Sequence, residues 1–151
     1  MKITNVETIA LRDNADGNVT SWNPTYGDSL DSSPASTGGY DITIVKVNTD
    51  EGISGIGQCE APSLIIDAII KSSLGLENLV INEDPTQVNR LWQKMYNSTG
   101  VFGRRGIVIA AIGAIETALW DITGKFYNKP LYELLWKSFT TSASFFEPKK
   151  M

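Results

Sequence analysis

The residues best placed to do chemistry are two acids in the longest apolar stretch, Glu116 and Asp121, and a single thiol, Cys59, just beyond Gly55-Ile56-Gly57. A carboxylate pair can serve as general acid and base or ligate a hard cation. If 106–126 is helical, five residues at about 100° each set Glu116 and Asp121 about 140° apart, so they cannot share a site unaided. Asp121 with Lys125 has the i, i+4 spacing of a helix ion pair, worth about 0.3 kcal/mol. Gly55-Ile56-Gly57 lacks the third glycine and the immediate helix of a dinucleotide fingerprint, and no P-loop lysine follows. Glycines in a strand instead let another backbone approach closely. A reactive thiolate needs a cation or a helix N-terminus beside it, and the neighbour of Cys59 is Glu60. Cys59 is expected to be inert.

The 151 residues contain no histidine. This removes the commonest acid/base at neutral pH and the commonest imidazole ligand, and with them Ser-His, Cys-His and His-zinc chemistry. No catalytic residue and no metal ligand set is assigned, and no cofactor is expected to be bound by this chain.

The elements that would position any site read as strands first, then helices. Segment 2–12 is a strand with room for a bulge. In 41–49, Ile42 and Ile44 fall on one face and Thr43, Val45 and Val47 on the other, which predicts a strand covered on both faces. Asp50-Glu51-Gly52 supplies a turn, and 53–60 returns as a third strand, completing an antiparallel meander. Ser63 is a candidate cap for a helix over 64–71. Asp84-Pro85-Thr86-Gln87 reads as a helix start, with Asp84 as cap. Val88, Leu91, Trp92, Met95 and Tyr96 then follow a core-facing stripe. The third helix, 106–126, carries Val108, Ile112, Ile115, Leu119 and Ile122 beside Ala111, Ala114 and Ala118, small residues that permit close packing. Asn128-Lys129-Pro130 breaks it, and 131–136 can start a short further helix.

A length of 151 residues suits one domain, and 42% hydrophobic with 20% charged residues is ordinary for a globular chain. A net charge of -4, with Arg104-Arg105 and Lys149-Lys150 as the basic clusters, argues against nucleic acid as a partner. No uninterrupted apolar run reaches membrane-spanning length and the start has no secretory pattern, so no membrane partner and a cytoplasmic location are expected. The lone cysteine fits a reducing compartment, and the sequons at Asn18 and Asn97 are then chance matches. Between the first two strands lies 13–40, far longer than the usual connection and rich in Asp, Asn, Ser, Gly and Pro. Its aromatics Trp22, Tyr26 and Tyr40 exceed what a flexible linker needs.

The run Ala114-Ile115-Glu116-Thr117-Ala118-Leu119-Trp120-Asp121-Ile122-Thr123-Gly124-Lys125, followed by Lys129-Pro130-Leu131-Tyr132-Glu133-Leu134-Leu135, resembles the mandelate racemase and muconate lactonizing enzyme family of the enolase superfamily. Two further stretches agree, Lys2-Ile3-Thr4-Asn5-Val6-Glu7-Thr8 and 47–60. The resemblance implies an α+β fold, a three-stranded antiparallel meander followed by a helical bundle, the enolase-like N-terminal capping domain. It assigns 1–126 to that domain and 127–151 to the start of a linker toward a (β/α) barrel. In the family the barrel carries the base and the acidic Mg²⁺ ligands that stabilise an enediolate after proton abstraction beside a carboxylate. A barrel needs about 250 residues, and 26 follow Lys125, so the TIM barrel is absent. After Leu135 the family's pair of glycines is replaced by Trp136-Lys137-Ser138-Phe139, and 139–151 departs from the pattern, which a truncation or a shifted reading frame would explain.

By the resemblance, 13–40 and 58–64 cap the barrel mouth and help choose the substrate. Trp22, Tyr26, Tyr40 and Glu60 are the candidate substrate-capping residues, with the aromatics able equally to pin the loop to its own domain. The function expected is a capping and specificity domain of a Mg²⁺-dependent acid-sugar dehydratase or racemase, inactive without the barrel. Mg²⁺ is expected for a full-length family member, and a small carboxylate (sugar acid) is a partner when the barrel is present. Dehydration, racemisation and cycloisomerisation stay unranked, and a homo-oligomer stays open. The alternative is a stand-alone noncatalytic folding or association module.

Overall fold

A computed structural model describes residues 1–12 and 41–136. Three strands, β1 (Ile3–Arg12), β2 (Asp41–Thr49) and β3 (Ser54–Cys59), form an antiparallel sheet in the order β1-β2-β3. Five helices follow: α1 (Ser63–Lys71), α2 (Glu77–Val80), α3 (Val88–Ser98), α4 (Ile107–Tyr127) and α5 (Leu131–Trp136). The meander, the order of strands then helices, and the bulge in β1 agree with the pattern, the register slipping between Ile3 and Asn5. Gly52 closes the β2–β3 turn at φ +79°, a conformation that side-chain-bearing residues adopt at a cost.

One face of the sheet carries the core. Thr43, Val45, Val47 and Thr49 of β2 are buried, as are Gly55, Gly57 and Cys59 of β3. The helices pack on this face. The opposite face departs from expectation: Ile42 and Ile44 are only partly covered, and Ile9, Leu11 and Ile56 beside them are exposed. The alternation in β2 is apolar on both faces, but among the described residues no helix reaches the second one.

The fit between β3 and α4 explains the glycines. A Cβ on Gly57 would stand 1.9 Å from the Ala114 carbonyl oxygen, and one on Gly55 2.0 Å from that of Ala118. Helix and strand therefore meet backbone to backbone, with Ala114 and Ala118 as the small residues on the helix side. Along α4 the buried stripe is Val108, Ala111, Ile112, Ala114, Ile115, Ala118, Leu119 and Ile122. By length and composition α4 is apolar enough to cross a membrane, yet half of that window lies inside the fold. Its apolarity is that of a core helix packed on a sheet. Asn128, in the left-handed conformation at φ 49°, ends it, with the Lys129 amide donating to the Gly124 carbonyl at 2.9 Å.

Both outer strands expose an edge, and both edges are met by a carboxylate already paired with a lysine. The Ile56 amide donates to Asp121 Oδ2 at 3.0 Å, and Asp121 accepts from Lys125 Nζ at 2.7 Å while Lys125 also donates to the Ser54 carbonyl at 2.8 Å. On β1 the Val6 amide donates to Glu77 Oε1 at 3.0 Å, and Glu77 is held by Lys71 at 2.7 Å. The expected Asp121–Lys125 pair thus exists and does more than stabilise its helix: it satisfies a strand edge that would otherwise template pairing with another chain.

Two expected caps are corrected. No side chain caps α1, which starts from Pro62, so Ser63 is its first residue and not its cap. Asp84 closes a turn of its own, accepting from the Thr86 amide at 2.9 Å and the Thr86 hydroxyl at 2.8 Å, and α3 begins only at Val88. With proline next to it, Asp84 satisfies the nearest free donors, and the helix starts one turn later. In α3, Val88, Leu91 and Met95 are buried while Trp92 stacks on Tyr96 at 4.9 Å between centroids.

Candidate functional site

Register alone gathers the candidate capping elements at one end of the sheet. Arg12 pairs with Asp41, so both ends of 13–40 leave from that end, and Thr43 pairs with Cys59, which brings the β3–α1 turn beside them. Trp22, Tyr26 and Tyr40 lie outside the described residues. Glu60 is described and exposed, in the turn that joins Cys59 to α1.

The turn is pinned from below. The buried Thr43 hydroxyl donates to the Ala61 carbonyl at 2.7 Å, and the Thr8 hydroxyl donates to the Asp67 carboxylate, tying α1 to β1. Cys59 anchors the same turn from within the core, and burial pushes its thiol pKa up. A thiol with a raised pKa is a poor nucleophile, in keeping with the inert role expected of it.

Leu64 was expected as the start of an apolar helix and as the last residue of the segment 58–64, and it is a second surface feature of this end. It is 82% exposed, next to the half-exposed Ile65, while Ile66 and Ile70 carry the buried stripe of α1. The signal was legible: at 100° per residue Leu64 lies about 160° around the helix from Ile66. Glu60 and Leu64 together give this end one exposed acceptor and one exposed apolar group.

Glu116 and Asp121 are not brought together as a site, Asp121 being committed to Lys125 and the β3 edge. Among the described residues no group of three His, Cys, Asp or Glu side chains is placed to hold a metal ion. The other clustered acid, Glu83, is clamped by Arg90 at 2.5 Å and Lys94 at 2.6 Å, and the hydrogen bond from Arg90, then that from Lys94, lowers its pKa to about 2. It serves as a surface brace on α3.

Residues 28–136 match the mandelate racemase / muconate lactonizing enzyme N-terminal domain. The chain belongs to the mandelate racemase / muconate lactonizing enzyme family. The sheet and helices described above are this family's N-terminal domain, and no barrel accompanies them among the described residues. Among relatives, an arabinonate dehydratase of Saccharolobus solfataricus is 40% identical over 101 residues, 63% of this chain and 26% of the relative. A D-galactonate dehydratase of Ralstonia pickettii is 40% identical over 93 residues, 60% of this chain and 23% of the relative. The chain thus spans about a quarter of the length of these curated relatives. A 3,6-anhydro-D-galactonate cycloisomerase from Zobellia galactanivorans superposes with a TM-score of 0.69 at 28% identity, over 89% of this chain and 32% of that one.

Proposed function

We propose that this chain is the substrate-capping domain of a Mg²⁺-dependent acid-sugar dehydratase or racemase that abstracts the proton beside a carboxylate. The reacting groups, in this reading, lie outside these 151 residues. In this reading 1–126 forms the cap and 127–151 leads away from it, in a cytoplasmic enzyme. The observation that carries the proposal is the convergence of both roots of 13–40 and the pinned Gln58-to-Leu64 turn at one end of the sheet. Kinship with dehydratases of arabinonate and galactonate supports a polyhydroxylated carboxylate as the substrate class.

The chemistry open to the cap is recognition and exclusion of water. Leu64 offers apolar surface against a sugar face, and Trp22, Tyr26 and Tyr40 would add rings that shield the reacting carbon. Glu60 accepts hydrogen bonds from hydroxyls and repels a carboxylate, so it faces the polyol end of the substrate and leaves the acid end to the barrel. Magnesium does not fit the described residues: Glu77, Glu83 and Asp121 are each bound to a lysine or arginine, and no three acids converge. Its ligands belong to the barrel.

The test is a graft. Replacing the matching turn of the R. pickettii D-galactonate dehydratase with residues 58–64 of this chain should change kcat/KM ratios among sugar acids while leaving Mg²⁺ affinity intact. Unchanged ratios in a folded, active graft would overturn the capping role. The second reading, a stand-alone association module, is favoured by the exposed Leu64, Leu74 and Val101. It requires a concentration-dependent mass in sedimentation and no change in the graft.

A further inference from the structure

The sheet face turned away from the helices is continuously apolar by its register. Ile9 stands directly opposite Ile44 and Leu11 opposite Ile42, while Ile56, opposite Lys46, lies diagonal to Ile44. Directly opposed residues share a face with Cβ atoms about 4.5–5.5 Å apart, so these five side chains form one patch. Ile9, Leu11 and Ile56 are 41%, 49% and 54% exposed. Clustered apolar surface of this kind marks an interaction site, which singly scattered residues do not.

The patch ends in two opposite charges that do not meet. Glu7 is the cross-strand partner of Lys46, a position in which acid and base stabilise a sheet by pairing. Here Asn5 at 3.0 Å and Asn48 at 2.7 Å both donate to Glu7 Oε1. Among the described residues Glu7 Oε2 accepts no hydrogen bond and Lys46 makes no ion pair. A face that carries one acid and one base, each without a counter-charge, is complementary to itself.

We propose that this face is the contact of a reversible homodimer, in which a second copy packs sheet on sheet. A two-fold axis running along the strands between β1 and β2 sets β1 of each copy over β2 of the other. Ile9 then meets Ile44, Leu11 meets Ile42 and Glu7 meets Lys46 of the second copy, twice each. The face is about 14 Å across its three strands and about 17 Å long from Glu7 to Leu11. That is well short of the about 800 Å² per partner of a stable interface, so dimer and monomer exchange. The contact does not use Leu64, Leu74 or Val101, and it is independent of the capping reading.

Sedimentation of the full chain tests this. The parent should pass from monomer to dimer between about 10 µM and about 1 mM. Lys46→Glu and Glu7→Lys should each weaken dimerisation by at least about tenfold, because each homodimer then opposes like charges twice. An equimolar mixture of the two variants should restore it to within about threefold of the parent, because every contact is again acid to base. Leu64→Ser should leave it unchanged. A parent that stays monomeric over this range overturns the proposal, as does a dimer that both charge variants retain or that the mixture fails to restore. Carbodiimide coupling of isotope-labelled with unlabelled parent gives a readout that needs no variant to fold. Products joining Glu7 of one label to Lys46 of the other are expected, and their absence overturns the proposal.

Discussion

Replacing Gly57 by alanine should destabilise the domain strongly, and replacing Gly113 by alanine should stabilise it. At Gly57 the new Cβ would lie 1.9 Å from the Ala114 carbonyl oxygen, 2.9 Å from its carbon and 3.1 Å from the Ala118 nitrogen. All three are backbone atoms of α4, so no side chain can swing aside. Restoring a contact of about 3.4 Å requires strand and helix to part by about 1.5 Å, which loosens the interface at the centre of the core. Overpacking of this kind costs about 1–3 kcal/mol. Separation also strains the Ile56–Asp121 and Lys125–Ser54 hydrogen bonds, typically worth about 1 kcal/mol each. Against this, alanine restricts the unfolded chain and returns about 0.4–1 kcal/mol. The clash wins, with a net loss of about 2–4 kcal/mol. At Gly113, inside α4, nothing lies within 4 Å of the added Cβ. There alanine should raise stability by about 0.5–1 kcal/mol through helix propensity. Urea denaturation of the two variants and the parent supplies both numbers. A Gly57→Ala chain as stable as the parent would refute the backbone-to-backbone packing of β3 on α4.

Asp121→Ala should cost about 1–2 kcal/mol and raise aggregation on heating, because it frees the β3 edge as well as breaking an ion pair. Light scattering and denaturation of Asp121→Ala beside Lys125→Ala check this, and equal, negligible losses in both would oppose an edge-capping role. Glu83, with its folded pKa lowered to about 2, stabilises the fold above its unfolded value near 4.5 and loses that contribution as pH falls toward 2. Glu83→Gln should therefore flatten the stability profile between pH 5 and pH 2 and leave a lower plateau at neutral pH. An unaltered slope would count against the clamp. Cys59, buried and with its thiol pKa raised, should react with a thiol reagent at pH 8 only in denaturant. Prompt labelling of the native chain would show the β3–α1 turn to be open.

Much of the fold was legible because it rests on local periodicity. The alternation from Asp41 to Thr49, the Gly52 turn and the apolar stripe of α4 each specify their element without help from distant residues. Gly55 and Gly57 were legible as points of close approach, and the structure supplies the partner, Ala114 and Ala118. What escaped depends on tertiary context. Glu77 and Asp121 look like ordinary helix acids until the sheet order makes β1 and β3 edges with amides to satisfy. Asp84 looks like a cap until proline geometry turns it onto Thr86. The incomplete cover of Ile42 and Ile44 was illegible because a strand records which faces are apolar and not whether a layer lies over each. Of the candidate capping residues, Glu60 is exposed in the turn after β3, while Trp22, Tyr26 and Tyr40 lie outside the described residues.

If these 151 residues cap a site whose reacting groups lie elsewhere, as proposed, the chain alone should not labilise the proton beside a carboxylate, and isotope exchange addresses this directly. The purified chain, incubated with Mg²⁺ in D₂O with arabinonate and galactonate, should show by NMR no deuterium uptake at the carbon beside the carboxylate above the uncatalysed rate. Exchange or turnover by this chain alone would contradict it.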